Sequence, residues 1–127
     1  MRREDAAVTQ FAIVVDGEAS GGVGFQIGTH IHRRSAELGY WLAVRYWGKG
    51  IVTEAVRAVT DYAFRSFEIE HVFAGLFEHN VGSRRVLEKA GFTLEGRLRR
   101  HVTKNGVTTD DLIYGIVRPP THPRVAS

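Results

Sequence analysis

The chain has 127 residues, 43% apolar and 24% charged, with 17 Lys and Arg against 14 Asp and Glu for a net charge of +3. That size and balance fit one soluble globular domain and leave little room for a second. The absence of cysteine excludes a disulfide framework, a thiol nucleophile and a Cys-based zinc site. No apolar run approaches the roughly 20 residues of a membrane helix, and MRREDAAVTQ carries no secretory segment, so no membrane association and a cytoplasmic location are expected. The positive balance suits an anionic ligand, but acids alternate with the bases and no RNA-binding aromatic motif is present, so no nucleic-acid partner is expected.

Residues 1–10 are polar and aperiodic and read as a flexible lead-in or as the tail of an element whose beginning is absent. Phe11–Val15 is a short β-branched run, and GVGFQIG alternates after Gly21, so the two predict a hairpin with its turn near Asp16 to Ser20. His30 and His32 lack a cysteine or an obvious third ligand, and no metal is expected. Ala36–Val44 (AELGYWLAV) has the aromatic and aliphatic content of a third strand. From Ile51 the period changes: Val52, Ala55, Val56, Val59, Tyr62, Ala63 and Phe67 recur at helical spacing, with Glu54, Arg57, Asp61 and Arg65 elsewhere. His71–Phe77 returns to strand character, and Gly82–Ala90 reads as a helix stopping at Gly91. Residues 92–102 and 108–117 are extended segments joined by Lys104-Asn105-Gly106, a hairpin signal. The tail, 119–127, reads as disordered, which leaves a domain over residues 11–118.

Two segments carry candidate chemistry. Arg45-Tyr46-Trp47-Gly48-Lys49-Gly50-Ile51 lies between a predicted strand and the clearest helix. Its glycines let the backbone approach a ligand, and the helix start adds free N–H donors and a positive dipole end, which suits a pyrophosphate. A tight structural turn is the competing reading. The segment is neither a Walker A loop nor a dinucleotide fingerprint. The second segment is Asn80-Val81-Gly82-Ser83-Arg84-Arg85-Val86-Leu87-Glu88-Lys89-Ala90-Gly91-Phe92. Asn80 is a natural N-cap there, with Ser83 in the first turn. Arg84, Arg85 and Lys49 either reach phosphates or form an ordinary basic face.

R-x-x-G-x-G opening a helix, followed about thirty residues later by N-x-x-S-x-x-x-L-E-K-x-G-F, resembles the GCN5-related N-acetyltransferase (GNAT) superfamily. GYWLAVRYWGKGIVTEA and GFTLEGRLRR resemble the RimJ/RimL-like branch, which acetylates ribosomal-protein N-termini. The resemblance, over roughly Phe11 to Val117, implies an α/β fold with a mixed, mostly antiparallel sheet of about six strands flanked by helices. The strand and helices that usually open that fold are largely absent. It implies acetyl-CoA as donor, its pyrophosphate on the amides of Arg45 to Gly50 and its arm beside Trp41 to Val44, so that Leu42, Val44 and Ile51 border the cofactor. The arm would enter a splay between Ala36–Val44 and His71–Phe77, with Asn80 and Ser83 at the thioester end.

The acceptor must attack as a neutral amine and the leaving thiolate gains from an acid. An α-amino group near pKa 7.8 is roughly a quarter neutral at about pH 7.4, against about 0.1% for lysine, a gap of roughly 3.5 kcal/mol. A protein N-terminus therefore needs only a weak or water-relayed base. Many members of the superfamily carry a tyrosine acid four residues after the position of Ser83; here that position is Leu87, which leaves Ser83 as the nearest hydroxyl. Glu37 and Glu78 are the nearest carboxylates, as water-relay bases or as substrate-facing or solvated groups. His79 is a minor base candidate, and Tyr114 has a packing role. The expected activity is acetyl transfer to a primary amine, a protein N-terminus first and a small amine or aminoglycoside second, with a non-catalytic acetyl-CoA-binding module as the alternative. An unpaired apolar edge at Phe11–Val15 invites a second copy, so a homodimer is expected.

Overall fold

Asp16 and Gly17, both at positive φ (52° and 80°), close a two-residue turn between β1 (Gln10–Val15) and β2 (Glu18–Ile27) in the computed structural model, which describes residues 9–120. Paired positive φ values match the strand twist, so the turn is tighter than the Asp16–Ser20 loop expected and β2 starts at Glu18. Gln10, counted in the lead-in, pairs with Gly24 and belongs to the sheet. The rest of the expected lead-in apart from Thr9, and residues 121–127 of the expected tail, lie outside the described residues.

The chain continues through β3 (Ser35–Leu42), α1 (Ile51–Ser66), β4 (His71–Phe77), α2 (Val81–Lys89), β5 (Thr93–Lys104) and β6 (Val107–Val117). The six strands form one sheet in the order β1-β2-β3-β4-β6-β5, antiparallel except for β3 against β4. Asn105 and Gly106, at φ 54° and 77°, make the predicted Asn-Gly turn between β5 and β6.

Strand alternation assigns the core to one face. Phe25 pairs with Leu38, Ala36 with Val72, Ala74 with Tyr114 and Leu76 with Leu112, and all eight are buried. Val56, Val59, Ala63 and Phe64 of α1 and Leu87 of α2 complete the same cluster, so both helices cover this face. The residues between them in sequence, including Glu37, Gly39, Trp41, Phe73 and Gly75, point to the other face, which carries no helix among the described residues.

Helix ends are closed by identifiable groups. Asn80 caps α2, its side-chain oxygen accepting from the Ser83 N–H at 3.1 Å. Gly91, at φ 97°, ends it: the Phe92 N–H reaches the Leu87 carbonyl at 2.9 Å and the Gly91 N–H that of Glu88 at 3.1 Å, with Phe92 and Leu87 both buried. At the end of α1, Arg118 donates to the carbonyls of Phe64 and Phe67 at 2.8 Å and of Ile69 at 3.0 Å, a buried cation where the helix dipole is negative.

The feature that positions the site is a parting of strands. β3 and β4 pair only at Ser35–His71, Ala36–Val72 and Glu37–Phe73. Beyond that point β3 stays with β2 through Leu42, while β4 stays with β6 through Phe77. Each strand follows its other neighbour, and the sheet opens between them.

Candidate active site

The opening is a cleft of about 310 Å³, lined by residues that alternate between the two faces of the sheet. Leu38, Gly39 and Tyr40 form one wall, Ala74 to Phe77 the other, and Asn80, Ser83 and Asp111 close its end. The α2 start thus delivers two of the predicted site residues, Asn80 and Ser83, to the splay.

Tyr40 lies in line with Leu38 and Leu42 on the helix-covered face and reaches across the cleft to Ser83. The two hydroxyls are hydrogen-bonded, and the phenol oxygen also stands 3.5 Å from the Ser83 carbonyl. Burial pushes the Tyr40 phenol above its ordinary value, with the Ser83 contact acting the other way, so the group is protonated at neutral pH. Sequence reasoning gave Tyr40 no role. The available signal was its parity with Leu38 and Leu42, because a tyrosine on a buried strand face needs a partner for its hydroxyl.

The turn from Val44 to Gly50 follows at the end of β3. The strand stops at Leu42 because Val44–Tyr46 tighten into a single 3₁₀ turn, so Val44 is not a strand residue and is 70% exposed. Leu42 is buried in the core, and its carbonyl accepts from the Trp47 indole at 2.7 Å. Neither residue lines the cleft. Gly48 and Gly50 sit at φ 79° and 78°, and a side chain at either would meet nothing within 4 Å. Their backbone is therefore bare toward solvent. Gly50 caps α1 without a side-chain hydrogen bond, leaving the first N–H groups of the helix free for an anion, while Ile51 is half-buried behind them. The Arg45 guanidinium pairs with Glu18 at 2.7 Å and lies 5.0 Å from the Tyr46 ring, with the Lys49 ammonium at 5.8 Å from the same ring. Bare amides, a helix start and two flanking cations fit the pyrophosphate of acetyl-CoA, and the cleft fits its narrow arm.

The other predicted residues fall in different places. Glu37 is exposed at the apex of the splay, in an adjoining groove of about 340 Å³ on the helix-free face, with Gly22, Gly24, Gly39 and Trp41. Glu78 does not line the cleft; its carboxylate takes the Arg97 guanidinium at 2.7 Å, because that cation is brought to the edge of the sheet by β5. The Arg84 side chain is turned to the Tyr114 hydroxyl at 3.4 Å, which in turn donates to Glu88 at 2.8 Å. Leu87 is fully buried and faces the core. Asp111, unassigned from sequence, does line the cleft.

Residues 1–93 match the acetyltransferase (GNAT) domain family. The chain is 48% identical over 86 residues to the probable N-acetyltransferase YjcK of Bacillus subtilis, covering 68% of this chain and 48% of that protein. It is 39% identical over 85 residues to the putative ribosomal N-acetyltransferase YdaF of the same organism, covering 67% and 46%. Among solved structures, Mycobacterium smegmatis RimJ in complex with CoA-disulfide superposes with a TM-score of 0.76 at 34% identity, over 86% of this chain and 53% of that one. The chain spans about half the length of the curated relatives it matches. The matched family, the splayed β3–β4 pair and the bare turn ahead of α1 agree, and the chain belongs to the GNAT acetyltransferase family.

Proposed function

We propose that this domain transfers the acetyl group of acetyl-CoA to a primary amine, with a protein N-terminal α-amino group as the acceptor, by direct attack of the neutral amine on the thioester. The observation that carries this reading is the cleft between β3 and β4, which begins where their pairing stops at Glu37–Phe73 and ends at Asn80 and Ser83. Acetyl-CoA supplies an activated thioester carbon. The amides of Gly48 to Gly50 and the start of α1 hold the phosphates, and the walls of the cleft exclude water from the narrow arm. Ser83 is the hydroxyl available to protonate the departing sulfur, with Tyr40 behind it. Glu37, which lines the groove on the helix-free face, orients the acceptor or relays its proton through water in this reading. A weak base suffices for an α-amino group, since a sizeable fraction is neutral near pH 7.4.

Calorimetry with acetyl-CoA, with Gly48→Glu as control, tests the donor site. CoA release with N-terminal peptides against small amines in the same samples tests the acceptor. Binding that Gly48→Glu abolishes, with peptide-dependent release, supports the proposal. Binding without release leaves a cofactor-binding module, and release with small amines alone moves the acceptor class.

The chain also offers a second copy an edge. Among the described residues β1 is the outermost strand, with Phe11 37% and Val14 60% exposed. Such an edge favours strand pairing between copies. Sedimentation at micromolar concentration reads the homodimer directly, and a monomer there would reject it.

A further inference from the structure

We propose that Asp111 anchors the ammonium group of the acceptor at the end of the β3–β4 cleft, on the face opposite both helices. The proposal rests on the acetyltransferase reading for its purpose, but the site itself stands on geometry. Asp110 and Asp111 are consecutive on β6 and therefore point to opposite faces of the sheet. Asp110 is saturated: Arg97 reaches it at 2.7 Å and the Arg100 N–H at 2.9 Å. The Asp111 carboxylate has no ion pair or hydrogen bond among the described residues, although the residue is only partly exposed and lines the same cleft as Tyr40, Asn80 and Ser83.

Its surroundings leave space for a ligand. Both carboxylate oxygens lie 3.5 Å from the point where a side chain at Gly75 would begin, and Gly75 has none. Across the cleft, Gly39 is equally bare, with nothing within 4 Å of its missing side chain. Neither glycine is forced by a positive φ or by a neighbouring atom, so the protein's own packing does not explain them. On β4, Phe77 is the register partner of Asp111, and the Lys104 ammonium stands 5.6 Å from its ring rather than on the carboxylate. A half-buried carboxylate without a counter-charge is costly, and an incoming ammonium supplies one.

Asp111 acts as a binding group and not as the base. The proton leaves to water and the carboxylate keeps the amine in place. This restricts the acceptor to amines that arrive as cations.

The test follows the amide resonances of Gly75 and Asp111 in the full chain during titration with n-propylammonium chloride, for wild type, Asp111→Asn and Asp111→Glu. Acetyl-CoA calorimetry is run on the same samples. The expected result is propylammonium binding by wild type, at least tenfold weaker in Asp111→Asn and partly kept in Asp111→Glu, with acetyl-CoA affinity the same in all three. With a cationic acceptor, Asp111→Asn raises KM about tenfold or more and changes kcat little. Equal propylammonium affinity in wild type and Asp111→Asn, or no binding by wild type, overturns the proposal. Asp111-dependent ammonium binding in a chain that binds no acetyl-CoA would sink the transferase reading and leave this site standing.

Discussion

Tyr40 and Ser83, 43 residues apart in the chain, meet hydroxyl to hydroxyl across the opening between β3 and β4. Because burial keeps the phenol protonated, Tyr40 can donate to Ser83 and leave the serine proton free to face the cleft. Ser83→Ala should lower turnover about 100-fold, and Tyr40→Phe about tenfold, with acetyl-CoA affinity unchanged in both. The double variant should be no slower than Ser83→Ala, since the phenol acts through the serine. Steady-state kinetics with parallel calorimetry read this, and fully additive losses would show that the two hydroxyls act separately.

The turn at Gly48 separates backbone strain from ligand contact. With φ at 79°, any side chain costs about 1–2 kcal/mol of local strain, yet it meets no neighbour within 4 Å. Gly48→Ala should therefore lower the unfolding free energy by about that amount and weaken acetyl-CoA binding modestly. Gly48→Glu, with the same strain plus a negative charge beside the α1 start, should abolish binding. Denaturant melts and calorimetry on both variants decide it; equal affinities would place the phosphates elsewhere.

Leu87 occupies the helix position where the family resemblance leads one to look for a tyrosine, and it is fully buried. It points into the core with Val56 and Phe92 and does not line the cleft, so a tyrosine there cannot stand in for the missing acid. Leu87→Tyr should overpack the core by about 1–3 kcal/mol without raising turnover, and Leu87→Ala should cost about 2–5 kcal/mol. Urea unfolding gives both numbers, and a gain in turnover for Leu87→Tyr would show that the side chain had swung into the cleft.

Local chemistry explains which features were legible in the sequence. The Asn105-Gly106 turn, the α1 stripe, the Asn80 cap and the Gly91 stop each follow from a few adjacent residues, and each is found in the fold. The splay, expected from family resemblance, is also present. What stayed hidden depends on long-range placement. Tyr40 acquires its role only when α2 sets Ser83 above β3, and Glu78 loses its own when β5 brings Arg97 to it. The Asp110-Asp111 pair looks symmetrical in sequence, yet pleating sends one carboxylate to Arg97 and the other to the cleft. The boundary at Leu42 moved because Val44 to Tyr46 satisfy their backbone in a 3₁₀ turn, which β propensity does not register.

Asp110 gives the fold a pH dependence of defined sign. The Arg100 N–H and then the Arg97 guanidinium hold its carboxyl below the usual carboxylate value. A depressed folded-state pKa stabilises the fold above the unfolded value of about 3.9, and that contribution is lost as pH falls through the lower folded value. Asp110→Asn should therefore unfold at lower urea than wild type at pH 6, and the difference should shrink as the pH falls through the depressed folded-state value. The side chain is exposed enough for salt to screen part of the effect, so the gap should also narrow in 1 M NaCl. Urea midpoints measured across pH 2–7 read the trend. A gap that stays constant with pH would assign the loss to the shape of the amide at this position and not to the charge.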